Sequence, residues 1–249
     1  MCLLIGMCIP AFLSAQNRII HAVVALCDNQ YQGIAKVPAG IGNGQSPATN
    51  LYWGAGYGVK TVFTRSKEWM LLGEAAQKNP KILQRLVFKH RTAPVIFIAD
   101  AWDGKYIKEC TEWFIESHAG KHRDSVEVKG KKYPSGGLAG LLCYIGHDGL
   151  MDFDIDVPVI ADGSYRESIV LACYSKHYFS PWLKKCGSKP ILWSTGLMAP
   201  EAYILEAALH EWVRKFNDYE AIRSAAAQAY SKYQKCSISA ARRLLVTGY

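Results

Sequence analysis

A histidine and a cysteine, each placed after an apolar run, are the residues of this chain best suited to chemistry. His147 lies in a Tyr-Ile-Gly-His-Asp-Gly segment after residues 138–145, and Cys173 lies in an Ala-Cys-Tyr-Ser segment after residues 168–172. A cysteine attacks as the thiolate, which is a small fraction of an ordinary thiol at neutral pH. A neighbouring imidazole can take the thiol proton and later return it to a leaving amine. The pair therefore predicts cysteine-dependent hydrolysis of an amide.

The residues around this pair supply candidates for the remaining roles. The backbone N–H groups of Gly149 and Cys173 are the ones we expect to face a developing oxyanion. Asp148 and Ser175 flank the pair and are candidates for contacting substrate. Asp28 follows the first apolar run, where it could select a lysine or arginine side chain or could equally cap a turn.

The elements that must position these residues can be read from apolar patterning. Near-continuous apolar runs are typical of strands covered on both faces, and they occur at residues 19–26, 94–99, 138–145, 168–172 and 190–194. Helical patterns occupy residues 66–77, 81–88 and 105–117, and three more begin at Pro200, at an Asn217/Glu220 capping box and at Ser237. This alternation predicts a single α/β domain over residues 16–249, a Rossmann-like three-layer sandwich with a mostly parallel sheet. Ligands of such sheets bind beyond the carboxyl ends of the strands, where His147 and Cys173 are expected.

Residues 151–157 alternate apolar and acidic side chains, and three interpretations of them stay open. One is that an aspartate lines a pocket for a basic substrate side chain. Period two predicts a hairpin strand with its aspartates in water, which is the interpretation we favour. Carboxylate oxygens also suit a hard cation. The alternative is a metal-dependent hydrolase that uses His147, Asp148, Asp152 and Asp154. On the favoured interpretation we expect no metal and no cofactor.

A glycine-rich segment and two further histidines carry weaker signals. Residues 32–58 contain seven glycines but lack the Gly-Lys-Ser/Thr ending of a P-loop, and the segment is too long for a dinucleotide fingerprint. We therefore expect a long loop bordering the cleft. His177, four residues after Cys173, is a second candidate base, whereas His21 within a strand is expected to be a core residue.

The first fifteen residues carry no charge and end in Ser14-Ala15 before Gln16. This pattern is typical of a signal peptide and predicts an exported protein, periplasmic or secreted, which begins near Gln16. The alternative is a buried first strand in a cytoplasmic protein. The apolar stretch is short for a membrane span and contains a proline, so we expect no stable membrane insertion.

The composition bears on partners. The formal net charge is +8, but most basic residues are interspersed with acids and no nucleic-acid-binding motif is present, so we expect no nucleic-acid partner. Two of the eight cysteines lie in the predicted leader, and none belongs to a Cys-x-x-Cys pair, which argues against a zinc ribbon or a thioredoxin-type site. A peptide or protein substrate fits the predicted site better.

A strand that ends in a histidine with a nearby glycine, followed by a strand that ends in Ala172-Cys173-Tyr174-Ser175, resembles the caspase-hemoglobinase group of cysteine peptidases. Legumains, metacaspases, gingipains and separases belong to that group. The resemblance covers roughly residues 138–196. It implies a caspase-like α/β sandwich in which Cys173 is the nucleophile and His147 the base. An alternative from another functional class is a non-catalytic exported binding or scaffold protein on the same fold.

Overall fold

The structure is a computed structural model that describes residues 18–215 and 217–249. The predicted leader falls outside the described residues. The strands are Arg18–Ala25 (β1), Trp69–Glu74 (β2), Ile82–His90 (β3), Val95–Trp102 (β4), Asp124–Val128 (β5), Lys131–Ser135 (β6), Leu141–Ile145 (β7), Glu167–Leu171 (β8), Lys189–Ser194 (β9) and Leu245–Val246 (β10). The α-helices are Val59–Arg65 (α1), Ile107–His118 (α2), Ser175–Lys185 (α3), Ala202–Arg214 (α4), Tyr219–Gln234 (α5) and Ile238–Leu244 (α6).

One mixed sheet of eight strands organises the fold, in the order β10-β9-β8-β7-β1-β4-β3-β2. The five central strands β9, β8, β7, β1 and β4 run parallel to one another. At one edge β10 pairs antiparallel with β9, and at the other β3 pairs antiparallel with β4 and β2 antiparallel with β3. A separate hairpin joins β5 and β6. The strand order reverses beside β1. The strands that follow β1 in sequence, β2 to β4, lie on one side of it, and β7 to β10 lie on the other side. Such reversal points are where open α/β sheets bind ligands.

Apolar side chains on both faces of the sheet produce three layers. Ile20 and Val24 of β1 point into a core shared with α1, α4, α5 and α6. Ile19 and Val23 of the same strand point into a second core shared with α2, α3 and the β5-β6 hairpin. The predicted three-layer α/β sandwich with a mostly parallel sheet is confirmed.

All five predicted strands are present, with ends shifted by a few residues. The three C-terminal helices are present too. Ser237 caps α6 by accepting a hydrogen bond from the Ala240 N–H, whereas α5 is capped by Asp218 and not by the expected Asn217. No helix within the described ranges combines the length and the apolar character needed to cross a bilayer.

The two helices expected at residues 66–77 and 81–88 are wrong, because this stretch forms β2 and β3. Hydrogen bonding of β3 to β4 places Phe88 against Phe97, with ring centroids 5.8 Å apart, and Trp69 of β2 packs on the same Phe97 ring. Burial of these large rings at the edge of the sheet outweighs the local helical spacing of the apolar residues.

The hairpin strand expected at residues 151–157 is also wrong. A single turn of 3-10 helix covers Gly149–Met151, and the chain then runs without regular secondary structure. The expected alternation of burial survives, since Ile155 is buried while Asp154 and Asp156 are exposed. Period two therefore identifies which side chains face inward, although none of the strands in residues 18–215 and 217–249 pairs with this segment.

Candidate active site

The strands that carry the histidine and the cysteine are direct neighbours. Strands β7 and β8 pair in parallel with Ile145 opposite Leu171, and His147 and Cys173 each follow two residues later. The Gly146 N–H donates a hydrogen bond of 3.2 Å to the Leu171 carbonyl and continues the pairing beyond the last strand residues. The two residues therefore leave the sheet at the same edge.

His147 and Cys173 line one pocket of about 290 Å³. Its wall is formed by Gly33, Ile34, Ala35, Tyr52, Gly146, His147, Met151, Cys173, Leu197, Met198 and Pro200. These residues come from the glycine-rich loop, from the end of β7 and the 3-10 turn that follows it, from the end of β8, and from the segment between β9 and α4. A molecule in this pocket would contact both the imidazole and the thiol.

A carboxylate fixes the imidazole of His147. The His147 Nε2 lies 2.7 Å from Asp152 Oδ2, and the same carboxylate oxygen accepts a hydrogen bond of 2.8 Å from the Gly33 N–H. Because Asp152 accepts, the proton of a neutral imidazole sits on Nε2 and leaves Nδ1 as the basic nitrogen. The Tyr144 hydroxyl donates to the His147 carbonyl at 2.9 Å and restrains the backbone at this position.

Cys173 is half-buried, and its sulfur is held against the segment after β9. Its thiol donates to the Met198 carbonyl at 3.6 Å, and the Met198 N–H approaches the sulfur at 3.4 Å. Burial raises the pKa of the Cys173 thiol, the contact with Met198 opposes that rise, and the Asp148 carboxyl adds to it. The thiol is therefore protonated at neutral pH, and it would need a base to act as a nucleophile.

Asp148 lies next to the pocket with a buried, incompletely paired carboxyl group. Its Oδ1 accepts a hydrogen bond of 3.0 Å from the Leu150 N–H, which starts the 3-10 turn, while its Oδ2 has no partner among the described residues. Burial raises the pKa of Asp148 to about 7, and the nearby Asp152 contributes to the same rise. Asp148 therefore changes charge close to neutral pH.

Gly146 occupies a position that a side chain would disrupt. Its φ is +145°, and a Cβ built there would lie 2.7 Å from the carbonyl oxygen of Ala25 on the neighbouring strand β1. Glycine is the residue that adopts such a conformation without steric cost. This conformation turns the chain sharply from β7 and aims His147 into the pocket.

Three of the other predicted site residues lie off the pocket wall. Gly149 opens the 3-10 turn and packs its α-carbon against the ring of Phe153. Ser175 is buried at the start of α3, where its hydroxyl donates to the Val170 carbonyl at 2.9 Å and accepts from the Ser194 N–H. Asp28 caps a turn by accepting from the backbone N–H groups of Gln30 and Tyr31.

The second candidate base and the candidate metal ligands are also placed apart from the thiol or from one another. His177 is exposed on α3, where its ring packs against Tyr178.

Asp154 points to solvent, whereas Asp152 pairs with His147. Across the described ranges there is no group of three or more His, Cys, Asp or Glu side chains arranged to hold a metal ion. His21 is a core residue, as expected, and pairs with the buried Asp100.

Sequence reasoning missed the partner of His147 and most of the pocket wall. The sequence offers Asp152 as a solvent-facing carboxylate, as a metal ligand or as part of a pocket for a basic side chain, and none of these interpretations pairs it with His147. The 3-10 turn that brings it back to His147 has one available signal, the Asp148-x-Leu150 spacing of an aspartate that caps its own turn. Leu197 and Met198 lie in a connecting segment without apolar periodicity, so no pattern identified them.

Comparison with known protein families, with curated proteins and with solved structures found no significant match to this chain.

Proposed function

We propose that this protein is a cysteine peptidase or related amide hydrolase that acts through an acyl-enzyme on Cys173, with His147 as its base. The observation that carries the proposal is the shared pocket: a half-buried thiol and an imidazole oriented by a carboxylate line the same cavity at the carboxyl edge of two paired parallel strands. The divergent caspase-hemoglobinase peptidase that the motifs resemble is the specific form of this proposal.

The chemistry follows from the state of the two groups. Cys173 Sγ attacks the carbonyl carbon of a bound amide while its proton passes to Nδ1 of His147. The imidazolium then returns this proton to the amide nitrogen as the C–N bond breaks and the amine leaves. Water, activated by the neutral imidazole, next cleaves the thioester and releases a carboxylic acid and the free thiol. Because burial raises the pKa of Cys173, proton transfer to His147 accompanies the attack.

Backbone groups supply the candidate oxyanion contacts. The Cys173 N–H donates to no acceptor within the described ranges, which leaves it available to the oxygen of a tetrahedral intermediate. Gly149 remains the second predicted donor, although its α-carbon packs against Phe153.

The predicted substrate contacts remain Asp148, Ser175 and Asp28. For Ser175 and Asp28 the hydrogen bonds within the fold favour a structural role.

The test is amide hydrolysis by the purified full-length chain against a mixture of synthetic peptides, with products identified by mass spectrometry. Cys173→Ala and His147→Ala are expected to abolish cleavage. The matched controls are Cys236→Ala, which removes the other half-buried thiol of the described residues, and His177→Ala, which removes an exposed imidazole close in sequence.

Two results would overturn the proposal. Cleavage that persists in Cys173→Ala would show that the activity belongs to another group or a contaminant. A wild-type protein that binds peptides without cleaving them would favour the non-catalytic binding protein.

If the apolar N-terminal stretch directs export, as its composition predicts, substrates lie outside the cytoplasm, and N-terminal sequencing of the mature protein would test this.

A further inference from the structure

The wall of the pocket around Cys173 is apolar over most of its surface. Tyr52, His147 and Cys173 supply its polar side chains, and the rest of the wall is backbone, glycine, proline or aliphatic side chains. None of the described residues that line it is Asp, Glu, Lys or Arg. Tyr52 adds no negative charge, since burial raises the pKa of its phenol.

The acidic residues considered for this site, Asp148, Asp152 and Asp28, all lie off the pocket wall. Asp148 is fully buried, so a ligand side chain in the pocket does not reach its unpaired Oδ2. Asp152 uses its Oδ2 for both His147 and the Gly33 N–H. Asp28, for which the sequence leaves open either selection of a basic side chain or a turn cap, accepts from Gln30 and Tyr31 through Oδ1 and from the Gln45 amide through Oδ2 at 2.7 Å. A lysine or arginine side chain in this pocket would therefore lose its hydration without contacting a carboxylate on the wall, which is costly.

Aliphatic side chains are also exposed at the mouth of the pocket. Leu197 is 67% exposed and Met151 is 39% exposed, although both belong to the pocket wall. Ile34 of the glycine-rich loop adds to the same rim. A cavity of about 290 Å³ has room for one large side chain. An apolar side chain that covers the exposed aliphatic groups of the rim would make the free energy of binding more favourable.

We infer that the pocket beside Cys173 binds an uncharged, apolar side chain such as leucine, methionine or phenylalanine on the acyl side of the scissile amide. The inference rests on the proposed function for the position of the amide, and on the chemistry of the wall for the type of side chain. Leu197 is then a specificity-determining residue, because its side chain is more exposed than that of Met151, the other large apolar side chain exposed on the wall.

Labelling with peptidyl acyloxymethyl ketones tests the inference. In these probes Cys173 Sγ bonds to the methylene carbon and displaces the carboxylate, so the label marks the attacking thiol. Probes that end in Leu, Arg or Asp and are otherwise identical are compared by the rate of Cys173 labelling. The leucyl probe is expected to react at least about tenfold faster than the other two.

A charge-introducing variant links the preference to the wall. Leu197→Asp places a carboxylate on the pocket and is expected to lower the Leu-to-Arg rate ratio by about tenfold. The matched control Ile160→Asp adds the same charge at a position that is 81% exposed and off the pocket wall, and it should leave the ratio unchanged.

A binding measurement separates the failure of this inference from the failure of the proposed function. Calorimetry with Cys173→Ala and N-acetyl tripeptide amides that end in Leu, Arg or Asp needs no chemistry, and the leucyl peptide should bind tightest. Faster labelling by the arginyl or aspartyl probe, or binding without preference, would overturn the inference. Preferential leucyl binding together with no labelling of Cys173 by any probe would instead overturn the proposed function and leave the pocket preference standing.

Discussion

His147 Nε2 and Asp152 Oδ2 lie 2.7 Å apart, joined across a single 3-10 turn that begins at Gly149. The pair sets both the orientation and the tautomer of the imidazole, because the Asp152 carboxylate accepts a hydrogen bond from the Nε2–H of the ring. His147 is 7% exposed, so the ring has little freedom to adopt another position.

Asp152→Asn is therefore expected to reduce amide hydrolysis about 100-fold or more, since an amide can donate to Nε2 and stabilise the wrong tautomer. The loss should fall on kcat, because substrate binding does not use the imidazole tautomer. The control is Asp154→Asn, an exposed neighbour that carries the same change of charge. An equal loss in both variants would contradict the orienting role of Asp152, and ¹⁵N NMR of the His147 ring would report the tautomer directly.

The Cys173 thiol should be alkylated slowly at neutral pH. Burial and the Asp148 carboxyl both raise its pKa, so the plot of iodoacetamide rate against pH should have its midpoint above the ordinary value for cysteine. Asp148→Asn removes the negative charge, lowers the pKa of the thiol and should accelerate labelling at neutral pH by roughly 2- to 10-fold. Peptide mapping by mass spectrometry identifies Cys173, and Asp154→Asn serves again as the matched control. A midpoint unmoved by Asp148→Asn would refute the coupling.

Gly146→Ala should destabilise the fold and misplace the imidazole. The new methyl group meets the Ala25 carbonyl at 2.7 Å, and φ is +145°, so we expect a loss of about 1–3 kcal/mol in the free energy of unfolding. Gly40→Ala is the control, because a Cβ there meets no atom within 4 Å. Urea denaturation measures both variants, and equal stability of the two would show that the turn after β7 tolerates a side chain.

The buried ion pair of β3 and β4 should make stability sensitive to acid. Burial disfavours ionised Asp100, but His21 and Arg85 outweigh it and lower the pKa of Asp100 to about 2. Its stabilisation is therefore fully present above about pH 4 and is lost as the pH falls towards 2. Urea denaturation between these pH values should show the loss.

Arg85→Met, which leaves the Asp100 charge incompletely paired, should cost about 3–5 kcal/mol at neutral pH. Arg123→Met, at an exposed residue paired with Asp162, should change the free energy of unfolding by less than about 0.5 kcal/mol. Similar losses in the two variants would argue against the buried pair as the source of stability.

The central strands were predictable because burial on both faces demands apolar residues at every position. In β7, all five residues from Leu141 to Ile145 are buried, and the sequence shows the same unbroken apolar run. Strand β3 lies nearer the sheet edge and keeps partly exposed positions such as Gln84 and Arg85. Its apolar residues consequently show a spacing that fits a helix equally well, and pairing with β4 decides the outcome.

The candidate site likewise contains residues whose placement the sequence pattern predicts and residues whose placement it does not. That His147 and Cys173 leave one edge of the sheet follows from strand order, which the sequence pattern favours. The Asp152 contact depends on the dihedral angles of one short turn, and the position of Leu197 depends on the path of an irregular segment. Neither has a periodic signature, so only coordinates reveal them.

The hydrogen bond from the Gly33 N–H to Asp152 links two parts of the molecule that serve different purposes. Gly33 belongs to the loop that forms one side of the pocket, and Asp152 is the carboxylate that orients His147. A displacement of this loop wide enough to admit a bulky polypeptide would also withdraw one of the two groups that hold the carboxylate. On the proposed function, ligand entry and the orientation of His147 would then be coupled: the open loop admits the ligand, and the imidazole is oriented for proton transfer once the loop has closed again.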